Sequence, residues 1–197
     1  MGIMMDRKNI TGVILAGGKS QRMGRDKGLV LLDGKPFIQH ISDVLSLIVH
    51  EIIIVSNNKE YDAFGYKRVP DIVENSGPLG GLYTGLHHTN TEFNLVLSCD
   101  VPRINSSVLQ QLILACDTNT DIIQLESEGE TIPLIAIYKK HCKDVFLKLL
   151  NQGERRLRFA VNQCKTKTII IDDSVAKATM NINTQDQLKE VSNDIDS

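Results

Sequence analysis

The stretch Ile10-Thr11-Gly12-Val13-Ile14-Leu15 is apolar, short, and stops at Gly17-Gly18. Such a run, ended by glycines, reads as a buried strand feeding a glycine-rich loop. Pro36 then opens a helical pattern: Phe37, Ile38, Ile41, Val44, Leu45 and Ile48 fall on one face. Glu51-Ile52-Ile53-Ile54-Val55 follows as a second buried strand, closed by Ser56-Asn57-Asn58. Strand, helix, strand in that order is a βαβ unit, which crosses over right-handed within a parallel sheet covered on both faces. This single feature restricts the chain to the α/β class.

The alternation continues. A short strand is expected over Tyr66–Val69, a helix over Leu79–His88, and a strand over Phe93–Leu97 that ends in Ser98-Cys99-Asp100. Asn105, Ser106 or Ser107 can cap the next helix, whose face is Val108, Leu109, Leu112, Ile113 and Cys116. Strands are expected over Asp121–Leu125 and Ile132–Tyr138, then a helix through Asp144–Leu150. A short segment Leu157–Asn162, a strand Thr168–Ile171 and a helix through Thr184–Val191 complete the pattern. No repeat or linker interrupts it, so 197 residues are expected to form one three-layer α/β domain with a mostly parallel sheet.

Composition excludes more than it names. Lys and Arg number 22 against 24 Asp and Glu, a net charge of −2, which does not supply the sustained positive field that coating nucleic acid or an anionic membrane requires. Trp is absent, which argues against an aromatic platform for single strands. No run approaches the ~20 apolar residues of a membrane span. Cys99, Cys116, Cys142 and Cys164 show no zinc-ligand spacing, and no secretory leader is evident, so reduced thiols in a cytoplasmic protein are expected.

The most informative segment is Leu15-Ala16-Gly17-Gly18-Lys19-Ser20-Gln21-Arg22-Met23-Gly24-Arg25-Asp26-Lys27. It holds four cations and one Asp directly after a strand. Glycines let backbone N–H groups approach an anion, and Lys and Arg neutralise it, so the composition suits a triphosphate as well as a solvated basic loop. Its place at a strand's carboxyl end, where α/β sheets put ligands, favours the phosphates. It is not a Walker A loop, since the first glycine of that motif would fall on Val13, and no G-x-G-x-x-G occurs.

Asp100, at the tip of another strand and followed by Val101-Pro102, is a candidate Mg²⁺ ligand of the kind that shares the ion with substrate phosphates. Gly77-Pro78-Leu79-Gly80-Gly81 enters a helix, either as a flexible entrance or as a close backbone approach to a planar base. Gly153-Glu154-Arg155-Arg156-Leu157-Arg158 offers arginine forks that suit a second phosphate or a solvated face. In Asn181-Ile182-Asn183-Thr184, Asn183 or Thr184 reads as a helix cap. His87, His88 and His141 have no sequence partner for metal or nucleophilic chemistry, and no G-x-S-x-G elbow exists. The residues therefore point to metal-assisted phosphoryl chemistry by direct displacement.

These motifs, in this order, resemble the nucleotidyltransferases of the molybdenum cofactor guanylyltransferase (MobA) type. The resemblance rests on Leu15 to Gly24, Asp26-Lys27, Gly34-Lys35-Pro36, Gly77 to Gly81, Cys99 to Pro102, Gly153 to Arg156 and Asn181 to Thr184. It implies a Rossmann-like nucleotidyltransferase fold that joins GMP from GTP to the phosphate of molybdopterin and releases pyrophosphate, with Mg²⁺. The N-terminal part would bind GTP and the C-terminal part molybdopterin.

Carried over residue by residue, the resemblance places Leu15, Ala16, Gly17, Gly18 and Gly80 at the nucleotide. Lys27 would hold its phosphates, Asp71 would lie at the nucleotide site, and Asp100 would hold the metal. Arg22 would act near the phosphates with Lys27 and Asp100, while Arg156, Asn181 and Asn183 would serve molybdopterin. The family's asparagine after the second strand falls on Val55 in the simplest register, with Asn57 as the substitute. Transient contact with cofactor-biosynthesis proteins or client molybdoenzymes is expected. Rival readings are a cytidylyl or sugar-phosphate transferase of the same superfamily, and a nucleotide-binding module without catalysis.

Overall fold

The computed structural model describes residues 6–17 and 26–193. Along the chain come β1 (Ile10–Leu15), a hairpin of β2 (Leu31–Leu32) and β3 (Lys35–Pro36), α1 (Phe37–Ser46) and β4 (Glu51–Val55). A 3-10 helix (Lys59–Phe64), β5 (Lys67–Val69), α2 (Gly77–His88), β6 (Phe93–Ser98) and α3 (Ser106–Leu114) follow. The last part contains β7 (Ile122–Ser127), β8 (Glu130–Lys139), α4 (Cys142–Asn151), α5 (Leu157–Val161), β9 (Thr166–Ile170), α6 (Asp173–Ala176) and α7 (Gln185–Asn193). The helices and strands expected from periodicity are all present, within a few residues at their ends.

Seven strands form one sheet in the order β5-β4-β1-β6-β8-β7-β9. Among the described strands of that sheet only β8 runs antiparallel to its neighbours. Its reversal is local in origin: β7 and β8 are joined through Glu128 and Gly129, with φ of 52° and 76°. Two successive positive φ values are those of the tight hairpin turn that matches strand twist. Glu128 adopts that conformation without being a glycine, which is why the turn carries no obvious sequence signal.

Alternation along each strand sorts the core into two layers. Val13 and Leu15 face Leu79, Leu82 and Leu86 of α2 and Phe146 of α4, whereas Ile10 and Ile14 face Ile38, Ile41 and Leu45 of α1 and share their layer with Leu109 of α3. The α2 helix lies tight on β1, since a Cβ at Gly85 would stand 2.5 Å from a methyl of Val13. The three-layer expectation therefore holds.

Two features of this topology create the site. From β1 the chain crosses through α1 to β4 on one side and later returns to β6 on the other. Beside such a reversal the strand ends diverge and leave a crevice at their carboxyl edge. The C-terminal segment then crosses that edge. Ile182 N donates to the Asp100 carbonyl (2.8 Å), and the Ile182 side chain is buried with Val30, Leu32 and Phe37, against which Leu188 and Val191 also pack. Among the described residues no helix is long and apolar enough to cross a membrane.

Candidate active site

Asp100 stands two residues beyond β6 at this edge and is only 8% exposed. Lys27, the first residue of a 3-10 turn (Lys27–Leu29), reaches it from the opposite side of the crevice: Nζ donates to Asp100 Oδ2 at 3.0 Å. The same ammonium donates to Asn183 Oδ1 on the C-terminal segment. Three distant parts of the sequence thus meet on one cation. The remaining Asp100 oxygen, Oδ1, is buried with no hydrogen-bond partner. A buried carboxylate oxygen left without a donor is costly, and a cation is the partner that best relieves it. Asp100 therefore fits a divalent metal as a lone protein carboxylate. Among the described residues no cluster of three or more His, Cys, Asp or Glu side chains offers an alternative.

Asn183 is itself held in place. Gln187 Oε1 accepts from Asn183 N (2.8 Å) and Thr184 N (3.2 Å), while Thr184 Oγ1 accepts from Gln187 N (3.2 Å). This is a capping box, and the Thr184-x-x-Gln187 spacing that announces it was available in the sequence. Thr184 is the cap, which leaves the Asn183 side chain for Lys27.

A second group forms beyond β4 and β5. Asn57 and Asp71 grip each other reciprocally: Asn57 Nδ2 donates to Asp71 Oδ2 (3.1 Å), and Asp71 N donates to Asn57 Oδ1 (3.0 Å). Burial pushes the Asp71 carboxyl up, partly countered by the Asn57 amide. The carboxylate faces two glycines, because a Cβ at Gly17 would lie 3.8 Å from Oδ2 and one at Gly81 would lie 3.7 Å from Oδ1. Leu15 lines the same corner, 3.7 Å from that Gly81 position. The Leu15 carbonyl accepts from Cys99 N (3.1 Å) and Ala16 N donates to the Val55 carbonyl (2.9 Å), so a ligand approaches this edge over the exposed Gly17. Gly80 serves close packing: a Cβ there would stand 2.6 Å from Ser76 Cβ.

The arginine-rich turn sits at the same end of the sheet. Arg158 reaches Glu130 (2.8 Å) and the Thr131 carbonyl (3.1 Å), at the start of the one reversed strand. Leu97, near the tip of β6, pairs with Ile135, so residues 130–134 overhang the carboxyl edge. Arg156 binds Glu154 (2.6 Å) and lies over the Phe159 ring (5.1 Å). It contributes to a groove of about 750 Å³ between α4 and α5, lined also by Val145, Leu149 and Gln163. The side-chain hydrogen bonds of Arg156 go to Glu154 rather than to Asp100 or Asn183. Asn181 is exposed beside Ile182. Gly18 and Arg22 lie outside the described residues.

Residues 12–167 match the family description "MobA-like NTP transferase domain". A "Probable molybdenum cofactor guanylyltransferase" of Flavobacterium johnsoniae is 39% identical over 93% of this chain and 97% of that protein. The "Molybdenum cofactor guanylyltransferase" of Vibrio campbellii is 31% identical over 94% and 96%. Among solved structures, "Molybdopterin-guanine dinucleotide biosynthesis protein A" from Archaeoglobus fulgidus superposes with a TM-score of 0.78 at 21% identity, covering 94% of this chain and 98% of that one. The last likeness speaks to the fold alone. This chain belongs to the MobA-like NTP transferases and is a nucleotidyltransferase.

Proposed function

We propose that the chain transfers GMP from GTP to the phosphate of molybdopterin-type molybdenum cofactor, releasing pyrophosphate, by in-line displacement without a covalent intermediate. The observation that carries this reading is the convergence of Lys27, Asp100 and Asn183 on one crevice, with Asp100 Oδ1 buried and unpartnered. Its two relatives by name, each more than nine-tenths covered, supply the substrate pair.

In this reading the single domain spans 1–197. Asp100 would hold Mg²⁺, which binds few protein carboxylates and completes its shell with substrate phosphates. When bound, the ion neutralises charge on the transferring and leaving phosphate oxygens. Lys27 does the same by direct contact, in a site dry enough for such contacts to contribute several kcal/mol. Asp71 offers its carboxylate to the N–H edge of guanine, and Asn57 orients it. Gly17 and Gly81 leave room for the flat base. Leu15, Ala16 and Gly80 shape that corner, and Gly18 and Arg22 extend the phosphate loop. Asn183 holds Lys27 toward the acceptor, while Arg156 and Asn181 receive molybdopterin. Bringing two anions together against their repulsion is itself a large part of the rate. No nucleic acid or membrane takes part; the protein works in the cytoplasm and meets other cofactor-biosynthesis or client proteins transiently.

The test is a nucleotide panel with molybdopterin and Mg²⁺, reading pyrophosphate and the coupled dinucleotide. GTP is expected to give both products. Equal release with CTP would overturn the guanine assignment, and GTP binding without any product would favour a non-catalytic module.

A further inference from the structure

The turn that delivers Lys27 is anchored from beneath by a buried hydroxyl. Asp26 precedes Lys27 and caps its 3-10 turn, with Oδ1 accepting from Gly28 N at 3.3 Å. The same carboxylate accepts from the Tyr61 hydroxyl at Oδ1 and from Asn58 Nδ2 at Oδ2 (3.4 Å). With three donors on it, Asp26 is a structural acceptor and not a second open ligand for a cation.

Tyr61 comes from the 3-10 helix after β4, whose first turn Asn58 caps by accepting from Glu60 N (3.0 Å). It is 0% exposed, although Lys59, Glu60 and Asp62 flank it in the same turn. Burial, then the neighbouring Cys99 and Asp26, push the phenol far up, so it remains a donor throughout the working pH range. Gly28 makes room for it, since a Cβ there would meet the hydroxyl oxygen at 2.4 Å. If the ring served packing alone, phenylalanine would fill the slot and require no acceptor. The tyrosine instead reaches under the turn to the residue beside Lys27.

We infer that Tyr61 is a positioning residue for the phosphate-binding cation: through Asp26 it fixes the turn that aims Lys27 at Asp100 and Asn183. The device also joins the two halves of the site. Asn57, which grips Asp71 on the base side, is the immediate neighbour of Asn58, which braces Asp26 on the phosphate side. One short segment after β4 therefore sets both the corner for the base and the aim of Lys27.

The inference rests on the assignment of Lys27 to the nucleotide phosphates, and the experiment separates the two. Affinities of the full-length chain for GTP and for guanosine are measured by calorimetry in wild type, Tyr61→Phe and Lys27→Met, together with melting midpoints. Tyr61→Phe is expected to weaken GTP about tenfold, the scale of one misplaced charge-assisted contact, while guanosine binds within about twofold of wild type. A merely structural defect lowers binding stoichiometry, or weakens both ligands equally, and either result overturns the inference. So does an unchanged ratio of the two affinities. Asn58→Asp keeps the cap on Glu60 N but replaces the amide donor to Asp26 with a like charge. It is expected to show the same selective loss of GTP, and it decides the matter if Tyr61→Phe does not fold. A loss of phosphate preference in Lys27→Met but not in Tyr61→Phe refutes only the positioning role. An unchanged preference in Lys27→Met refutes the phosphate assignment, and the positioning role with it. If wild type prefers CTP, the guanine reading fails and the same ratio is taken with CTP and cytidine.

Discussion

The chain carries two clusters of cations, and one described member of each, Lys27 and Arg156, is held in an opposite way. Lys27 is held by partners far away in sequence, Asp100 and Asn183, and its side chain is 23% exposed. Arg156 is held by Glu154 within its own turn, and its side chain is 75% exposed. Lys27 is thus fixed by the fold before any substrate arrives. Arg156 is fixed only within its own turn, and it can release Glu154 to a stronger anion without disturbing the sheet, to which Arg158 stays tied through Glu130 and the Thr131 carbonyl. The contrast suits two substrates with different demands. The triphosphate undergoes the chemistry, so its cation gains from being preorganised where charge develops. The acceptor needs to be captured and aimed, for which an exposed guanidinium fork with an aromatic neighbour is sufficient.

The sharpest way to break this comparison is Asp100→Asn. The substitution keeps shape and volume at a buried position but removes the charge that both Lys27 and the metal require. Turnover is expected to fall by about 10³-fold, the scale of losing one preorganised electrostatic partner, with GTP affinity within about threefold. Initial rates of pyrophosphate release and a GTP binding isotherm check both statements. Retained turnover would mean that the buried, fixed cluster is not the chemical one.

This buried cluster also shows what the sequence could and could not display. The strand, Gly17 and Asp100 were legible because apolar runs that end in glycine or aspartate mark carboxyl edges of a parallel sheet. The convergence of Asn183 on Lys27 was not, since it depends on the C-terminal segment folding back through Ile182, a tertiary event without local periodicity. The reversed β8 escaped for a different reason: its hairpin uses Glu128 where a glycine or asparagine would have announced the turn. Tyr61 was invisible because an aromatic in a short turn between charged residues carries no periodicity, and nothing local shows its hydroxyl beneath Asp26. Asn57 was the reverse case. Register alone favoured Val55, but Val55 is buried within β4, and two residues further on Asn57 meets Asp71.

The exposed cluster predicts a smaller and differently placed effect. Arg156→Ala is expected to raise KM for molybdopterin about tenfold while KM for GTP stays within about twofold, because a peripheral charge-assisted contact contributes on the order of 1–2 kcal/mol. Steady-state kinetics with each substrate varied in turn distinguishes the two. If GTP suffers more than molybdopterin, the arginine turn belongs to the nucleotide and the division of labour between the clusters fails.

The smallest effect tests whether the self-contained lock of the second cluster exists in solution. Arg156, through its side-chain hydrogen bonds first and then its backbone N–H, holds the Glu154 carboxyl at about 2, down from an ordinary 4.5. Because the folded value lies below the unfolded one, the unfolded chain binds more protons in the interval between them. The lock's contribution to stability is therefore fully present above the ordinary carboxylate value and is lost as pH falls toward 2. The Arg156 partner is largely solvated, and screening there keeps that contribution small, so the titration itself is the better observable. A carboxyl-carbon NMR titration should place Glu154 well below the exposed glutamates, and Arg156→Ala, which removes the side-chain bonds but keeps the backbone N–H, should move it up toward their range. Bound acceptor phosphate, by drawing Arg156 away, should move it in the same direction without any mutation. A Glu154 that titrates normally in the free enzyme would mean that Arg156 already stands open, and the two clusters would then differ in depth alone.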